Sequence, residues 1–194
     1  PNREYIFIMD VSGSMSGYPI DVSKKTIKKL LNDLRLEDKF NVMLFAGGSK
    51  VLSEKSVHAT PKNIKEAVDL IGRQRGGGGT RLLPAMRRVL DIPKQKGYSR
   101  TIVVVTDGYI DVEKETFDLI RNNMDEANVF TFGIGEGVNR YLIEGMARVG
   151  KGKEFVVMRP DEAEEKAEKF REYIQSPVMT DISIDFGKFE AYDI

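Results

Sequence analysis

Five side chains in this sequence could share one metal ion. Asp10, Ser12 and Ser14 alternate along a short stretch, Asp10-Val11-Ser12-Gly13-Ser14, so an extended loop would point their oxygens the same way. Thr80 adds a hydroxyl directly after four consecutive glycines, Gly76 to Gly79, and Asp107 adds a second carboxylate within Thr106-Asp107-Gly108. Hard cations such as Mg²⁺ take oxygen ligands in a near-octahedral array at about 2.0–2.1 Å. Hydroxyls neutralise no charge, and two carboxylates at most balance a divalent ion, partly through water. An ion held this way keeps a coordination position open for an anionic oxygen from outside. The glycine run lets the backbone pass close to such an ion and adopt positive φ where needed.

These residues need a scaffold that brings three distant loops together. Tyr5-Ile6-Phe7-Ile8-Met9, Phe40 to Phe45, Thr101 to Val105, Asn128 to Phe132 and Lys153 to Val157 are short apolar runs. Runs of this kind are expected of parallel strands buried on both faces. Helical periods lie between them. Ile27, Leu30, Leu31 and Leu34 follow Pro19 and Asp21. Thr60-Pro61 caps a stripe of Ile64, Ala67, Val68 and Ile71. Leu82, Leu83, Met86, Val89 and Leu90 form another stripe, as do Phe117, Ile120 and Met124. Leu142 and Met146 mark a shorter helix. Val51-Leu52, after the Gly47-Gly48 turn, reads as a short antiparallel edge strand. The alternation predicts an α/β fold with an open, mostly parallel, doubly wound sheet flanked by helices. Its ligands belong beyond the carboxyl ends of the strands, which is where Asp10, the glycine run and Asp107 fall.

The last helix is expected over Asp161–Gln175, with an acidic first turn suited to a helix amino end. It buries Ala163, Ala167, Phe170 and Ile174. Two alanines among four make a modest apolar anchor, compatible with sliding along the sheet. A tail tied to a second domain would oppose such movement, so one conformation is the expectation. The α/β domain is taken as residues 1–175. Beyond Ser176-Pro177, Ile182, Ile184 and Phe186 alternate with polar residues, so residues 176–194 read as a strand of a neighbouring domain. The first strand begins by Tyr5 and the end is no natural stop, which suggests a piece of a longer protein.

Composition narrows the function. Lys plus Arg and Asp plus Glu both number 30 among 194 residues, so no global field draws in nucleic acid or an anionic membrane. There is no cysteine, which removes disulfides, thiolate metal sites and cysteine catalysis. No apolar run approaches the ~20 residues of a membrane-spanning helix, and no signal peptide is visible. His58 is the lone histidine and lies in a polar stretch, so no Ser–His pair is evident. Gly133-Ile134-Gly135-Glu136-Gly137 follows a late strand, and a dinucleotide fingerprint would need a glycine at Val138; a tight strand-to-helix turn is the better reading. A phosphatase of the haloacid dehalogenase kind would need an acid where Ser12 stands. One metal without a neighbouring base is poor equipment for hydrolysis, and no Walker A sequence occurs. An enzyme is not expected.

Asp-x-Ser-x-Ser after an apolar strand, a Gly-Gly-Thr, and Thr-Asp-Gly after a second strand together resemble the metal-ion-dependent adhesion site of von Willebrand factor type A domains. The resemblance spans roughly residues 4–175 and fills all five motif positions: Asp10, Ser12, Ser14, Thr80 and Asp107. It implies Mg²⁺, with Mn²⁺ or Ca²⁺ as alternatives, and a protein partner that offers an exposed Asp or Glu to the metal. Tyr18, Arg81 and Tyr109 flank the metal loops and are either partner anchors or loop packing. Arg73 to Leu82 and the tail Ser176 to Ile182 also resemble bacterial relatives of inter-α-trypsin inhibitor heavy chains. In those proteins a vault/inter-α-trypsin domain precedes the type A domain and later strands return to it. This narrower resemblance implies a preceding domain of the same chain as a partner and an extracytoplasmic place in a bacterium. A scaffold module within one polypeptide, or an accessory subunit of a metal-chelatase or ATPase-type complex, are the alternative roles.

Overall fold

The computed structural model describes residues 2–108, 110, 112–123 and 127–175. The two longest strands lie side by side at the centre of the sheet. β1 (Asn2–Asp10) and β5 (Tyr98–Thr106) run parallel, with Met9 opposite Val105. β2 (Lys39–Phe45) flanks β1, and β6 (Asn128–Ile134) then β7 (Glu154–Val157) extend the sheet beyond β5, all parallel. Two short antiparallel pieces, β3 (Ser49–Val51) and β4 (Val57–His58), both pair with β2, giving the order β3-β2-β1-β5-β6-β7. The expected edge strand therefore sits slightly earlier than Val51-Leu52. β4, which carries exposed His58, was hidden in a stretch too polar to suggest a strand.

Alternating side chains along each strand point to opposite faces, and each face has its own helices. Tyr5, Phe7 and Met9 pack with α1 (Tyr18–Asn32), α2 (Pro61–Gly72) and α6 (Glu162–Gln175). Ile6 and Ile8 pack with α3 (Leu82–Leu90), α4 (Glu113–Arg121) and α5 (Arg140–Val149). Burial on both faces explains why these strands lack polar alternation. Thr60 caps α2 as expected, its hydroxyl accepting from the Asn63 amide at 3.3 Å. Leu34 lies past the end of α1, and in α3 the buried positions are Leu82, Ala85, Met86 and Val89. Among the described residues no helix is long and apolar enough to cross a membrane.

The stripe expected on α6 is buried, but its anchorage is stronger than two alanines suggest. Phe170 inserts among Phe130, Phe132 and Phe155, with ring centroids at 5.2, 5.8 and 6.0 Å in edge-on geometry. Such aromatic contacts add about 0.5–1.5 kcal/mol each beyond area burial. One ring thus ties the helix to β6 and β7. The strand expected within residues 176–194 lies outside the described residues.

At the amino end of the sheet a buried ion pair replaces apolar packing. Glu4 and Arg100 are register partners on β1 and β5, and both side chains are almost wholly inaccessible. Nearby, burial pushes the Tyr5 phenol from its ordinary 10.0 up to about 12, with Arg3 opposing the shift. The folded state then holds the phenolic proton where the unfolded chain has released it, so stability present below pH 10 is lost between pH 10 and about 12. Two pKa units correspond to roughly 3 kcal/mol. Tyr5→Phe is expected to abolish this part of the alkaline loss. Urea midpoints from pH 9 to 12 for both proteins check it, and parallel curves would refute it.

Candidate metal site

Successive connections leave β1 and β5 toward opposite sides of the sheet, so a crevice opens beyond their carboxyl ends. Asp10 ends β1, and Thr106-Asp107 ends β5 in the adjacent position. Asp10 is fully buried and Asp107 is only 5% exposed. The Asp10 carboxylate accepts from the Ser12 amide at 2.8 Å and from the Thr106 hydroxyl at 2.6 Å. Its charge is met by an amide and hydroxyls, not by a cation. Burial raises its pKa, the hydrogen bonds from Ser12 and Thr106 oppose that shift, and the nearby negative charge of Asp107 adds to it. Burial therefore makes the charged form of Asp10 costly, and a cation nearby would offset that cost.

After Ser12 the chain makes one 3₁₀ turn, Gly13–Met15, which carries Ser14 back toward Ser12. Their hydroxyl oxygens lie 3.2 Å apart. The two hydroxyls are hydrogen-bonded, with either able to donate, so both oxygens stand together at the end of β1. The glycine segment closes the site from the β2 side. The Gly13 amide donates to the Gly78 carbonyl at 2.9 Å, and the Gly77 amide to the Val11 carbonyl at 3.0 Å. Gly76 is required there twice over: its φ is +79°, and a Cβ would stand 2.7 Å from the Ser16 hydroxyl and 2.9 Å from Ser16 backbone.

Thr80 ends that segment half-buried, but its hydroxyl makes no hydrogen bond with Asp10, Ser12 or Ser14. The structure thus draws Asp10, Ser12, Ser14 and Asp107 together, and brings the loop of Thr80 alongside. The donor types fit a hard divalent cation: two buried carboxylates, neighbouring hydroxyls, and no nitrogen or sulfur. Among the described residues no group of three or more His, Cys, Asp or Glu is placed to hold a metal ion, so the hydroxyls are an essential part of any such site.

Two further residues hold the site and were not singled out from the sequence. Thr106 donates to Asp10 and accepts from the Gly108 amide at 3.0 Å. Asn139 caps α5 at the Leu142 amide, and its own amide donates to the Asp107 carbonyl at 2.9 Å. Its side chain also donates to the Gly108 carbonyl at 3.1 Å and to Glu113 at 2.8 Å. The threonine of Thr-Asp-Gly was legible as part of a motif; Asn139 had no local signal because its partners lie about thirty residues away in sequence.

Of the three flanking residues, Tyr18 is 43% exposed, and its hydroxyl donates to the Met158 carbonyl across the top of the sheet. Arg81 is exposed, and its amide donates to the Ala46 carbonyl at 2.8 Å, tying the glycine segment to the end of β2. Tyr109 lies outside the described residues.

The profile of the von Willebrand factor type A domain matches residues 3–155. A von Willebrand factor A domain-containing protein of Dictyostelium discoideum is 31% identical over 185 residues, which is 95% of this chain and 20% of that protein. The mouse von Willebrand factor A domain-containing protein 5B1 is 29% identical over 184 residues, 94% of this chain and 15% of the other. The chain therefore spans a fifth or less of these relatives' length. Among solved structures, a von Willebrand factor type A protein from Catenulispora acidiphila superposes with a TM-score of 0.75 at 21% identity, over 89% of this chain and 42% of the other. BatB from Bacteroides thetaiotaomicron gives 0.74 at 19% identity, over 90% of this chain and all of that one. With the profile covering most of the chain, the chain belongs to the von Willebrand factor type A family, whose domains serve generally as protein-interaction modules.

Proposed function

We propose that the domain binds a partner protein through one divalent cation held by Asp10, Ser12, Ser14, Thr80 and Asp107. Mg²⁺ or Mn²⁺ suits the hydroxyl-rich donor set best, and Ca²⁺ is the larger alternative. When bound, the ion supplies an electrophilic position that accepts a carboxylate oxygen from an Asp or Glu of the partner. The single observation that carries this reading is the pair of buried carboxylates beside hydroxyls 3.2 Å apart. In it, Thr106 fixes the Asp10 carboxylate, and Asn139 fixes the backbone that presents Asp107.

The relatives are several times longer than this chain, which favours one variant of the reading: the acidic partner belongs to another domain of the same polypeptide, as the resemblance to inter-α-trypsin inhibitor heavy chains implies. Extracytoplasmic placement in a bacterium rests on that sequence resemblance alone.

Calorimetric titration with Mg²⁺ and Mn²⁺ tests the site. One equivalent should bind, and Asp10→Ala and Asp107→Ala should each reduce affinity by more than a hundredfold with the far-ultraviolet spectrum unchanged. Undiminished binding in both folded variants would remove the assignment.

A further inference from the structure

A cleft of ≈ 650 Å³ opens directly beside Asp107 and Ser14. Its walls are apolar, formed by the Tyr18 ring, Pro19, Ile134 and Pro160. Its charged lining consists of Asp107, Glu136, Asp161 and one cation, Arg159. Arg159 is already engaged, at 3.4 Å from Asp161 and 3.3 Å from Glu162. Glu136 is exposed and has no ion-pair partner among the described residues. The Tyr18 hydroxyl also reports a negative field at the cleft wall: besides local desolvation, the carboxylates of Glu162, Asp161 and Glu136 raise its pKa, against Arg159.

An apolar wall beside the exposed carboxylates of Glu136 and Asp161 is complementary to a side chain with an aliphatic stem and a cationic head. The Tyr18 face adds an aromatic surface that attracts such a head. We propose that this cleft is a second recognition subsite, which takes a Lys or Arg side chain of the protein partner close to the acidic residue bound at the metal. The distance between the two groups rests on the metal reading above; the preference of the cleft for a cation does not. Charge bookkeeping supports the pairing. The entering partner carboxylate would add one negative charge beside the cleft, and Glu136 supplies another. Partners would therefore carry an acidic and a basic residue within a few positions of each other, and Tyr18, Glu136 and Asp161 would determine specificity without touching the metal.

The experiment has two arms on the full chain. In EDTA, n-pentylammonium and n-pentanol, equal in length and different in charge, are titrated while amide resonances of Gly135, Glu136 and Asp161 are followed. The ammonium should bind roughly fivefold tighter or more, the scale of one cation–π or exposed ion-pair contact. The Glu136→Gln/Asp161→Asn variant should bring the two within twofold while its remaining spectrum stays native. Equal binding by the parent protein, or an unchanged ratio in the variant, overturns the subsite. In Mg²⁺, a displayed library of linear heptapeptides with a fixed central Glu is selected on the same protein. Enrichment of Lys or Arg within three positions of the Glu, lost in the double variant, supports the pairing; Glu-dependent capture without that enrichment overturns it. Capture that needs no Glu and no Mg²⁺ would count against the metal reading alone, and the first arm would still decide the cleft.

Discussion

Glu4→Ala is expected to cost about 3–5 kcal/mol of unfolding free energy, because it strands a buried guanidinium. Glu4 and Arg100 face each other across the two central strands, and hydrogen bonds occupy four of the five guanidinium N–H donors. Arg100 Nε donates to Glu4 at 2.8 Å and one terminal nitrogen to its other oxygen at 3.1 Å. The Ile92 and Pro93 carbonyls accept the remaining two, at 2.8 and 2.9 Å. Ser56 donates to Glu4 at 2.5 Å. The network thus stitches the chain before β5 and the chain before β4 to the centre of the sheet. A buried charge left without its partner cannot be rehydrated without opening the strands. A loss of that size is a large share of the ~5–15 kcal/mol that holds a domain together. Arg100→Met should cost a similar amount, for it leaves the Glu4 charge without its cation and two carbonyls without their donor. The double variant Glu4→Leu/Arg100→Met should cost clearly less than the sum of the single losses, since the two charges leave together. It should not reach neutrality, because Ser56 and the Ile92 and Pro93 carbonyls lose partners. Urea unfolding of all three variants measures this cycle. A Glu4→Ala cost below about 1 kcal/mol would show that water reaches the pair.

The same ion pair shows where sequence reading stops. Tyr5 to Met9 and Thr101 to Val105 announce themselves as buried strands, because a strand covered on both faces has no polar position to interrupt the run. Glu4 and Arg100 stand just outside those runs and look like the polar ends of strands. Only the parallel register, which places them opposite each other, turns two apparent boundaries into a core feature. Likewise Asp10, Ser12, Ser14 and Asp107 were legible because each follows the end of a recognisable strand, and the sheet then brings them together. The cleft beside them was not legible. Its walls come from the starts of α1 and α6 and from the β6–α5 turn, and no local pattern encodes how three loop ends approach. α6 shows the intermediate case. Its stripe was evident from spacing, but the strength of its anchor depends on Phe170 meeting rings from β6 and β7, which spacing along one helix cannot express.

Asp10→Asn should make the metal-free protein more stable and the metal-loaded protein less stable than the parent. In the metal-free state the Asp10 carboxylate is buried, and the negative charge of Asp107 works against its ionisation. An amide of the same shape removes that cost. Its oxygen can keep the bond from the Ser12 amide, now 2.8 Å long. Its nitrogen can donate to the Thr106 hydroxyl, which has a second lone pair besides the one that takes the Gly108 amide. Removing a buried charge while preserving shape and hydrogen bonds is the substitution most favourable to stability. Under the proposed function, the parent recovers more than it loses when the cation arrives. A ligand at a hundred times its dissociation constant contributes about 2.7 kcal/mol, which for a domain of this length raises the melting temperature by roughly 5–10 °C. Asp10→Asn forfeits that gain, for a neutral amide leaves a single carboxylate against a divalent charge. The two melting curves should therefore cross: the variant melts higher in EDTA, and the parent melts higher in millimolar Mg²⁺ or Mn²⁺. Calorimetric scans of both proteins in both conditions read the result directly. If the variant melts lower in EDTA, Asp10 is held by a cation of the protein itself and the electrostatic argument for the site fails. If both melt alike with and without metal, the carboxylates serve the fold and the site binds no ion.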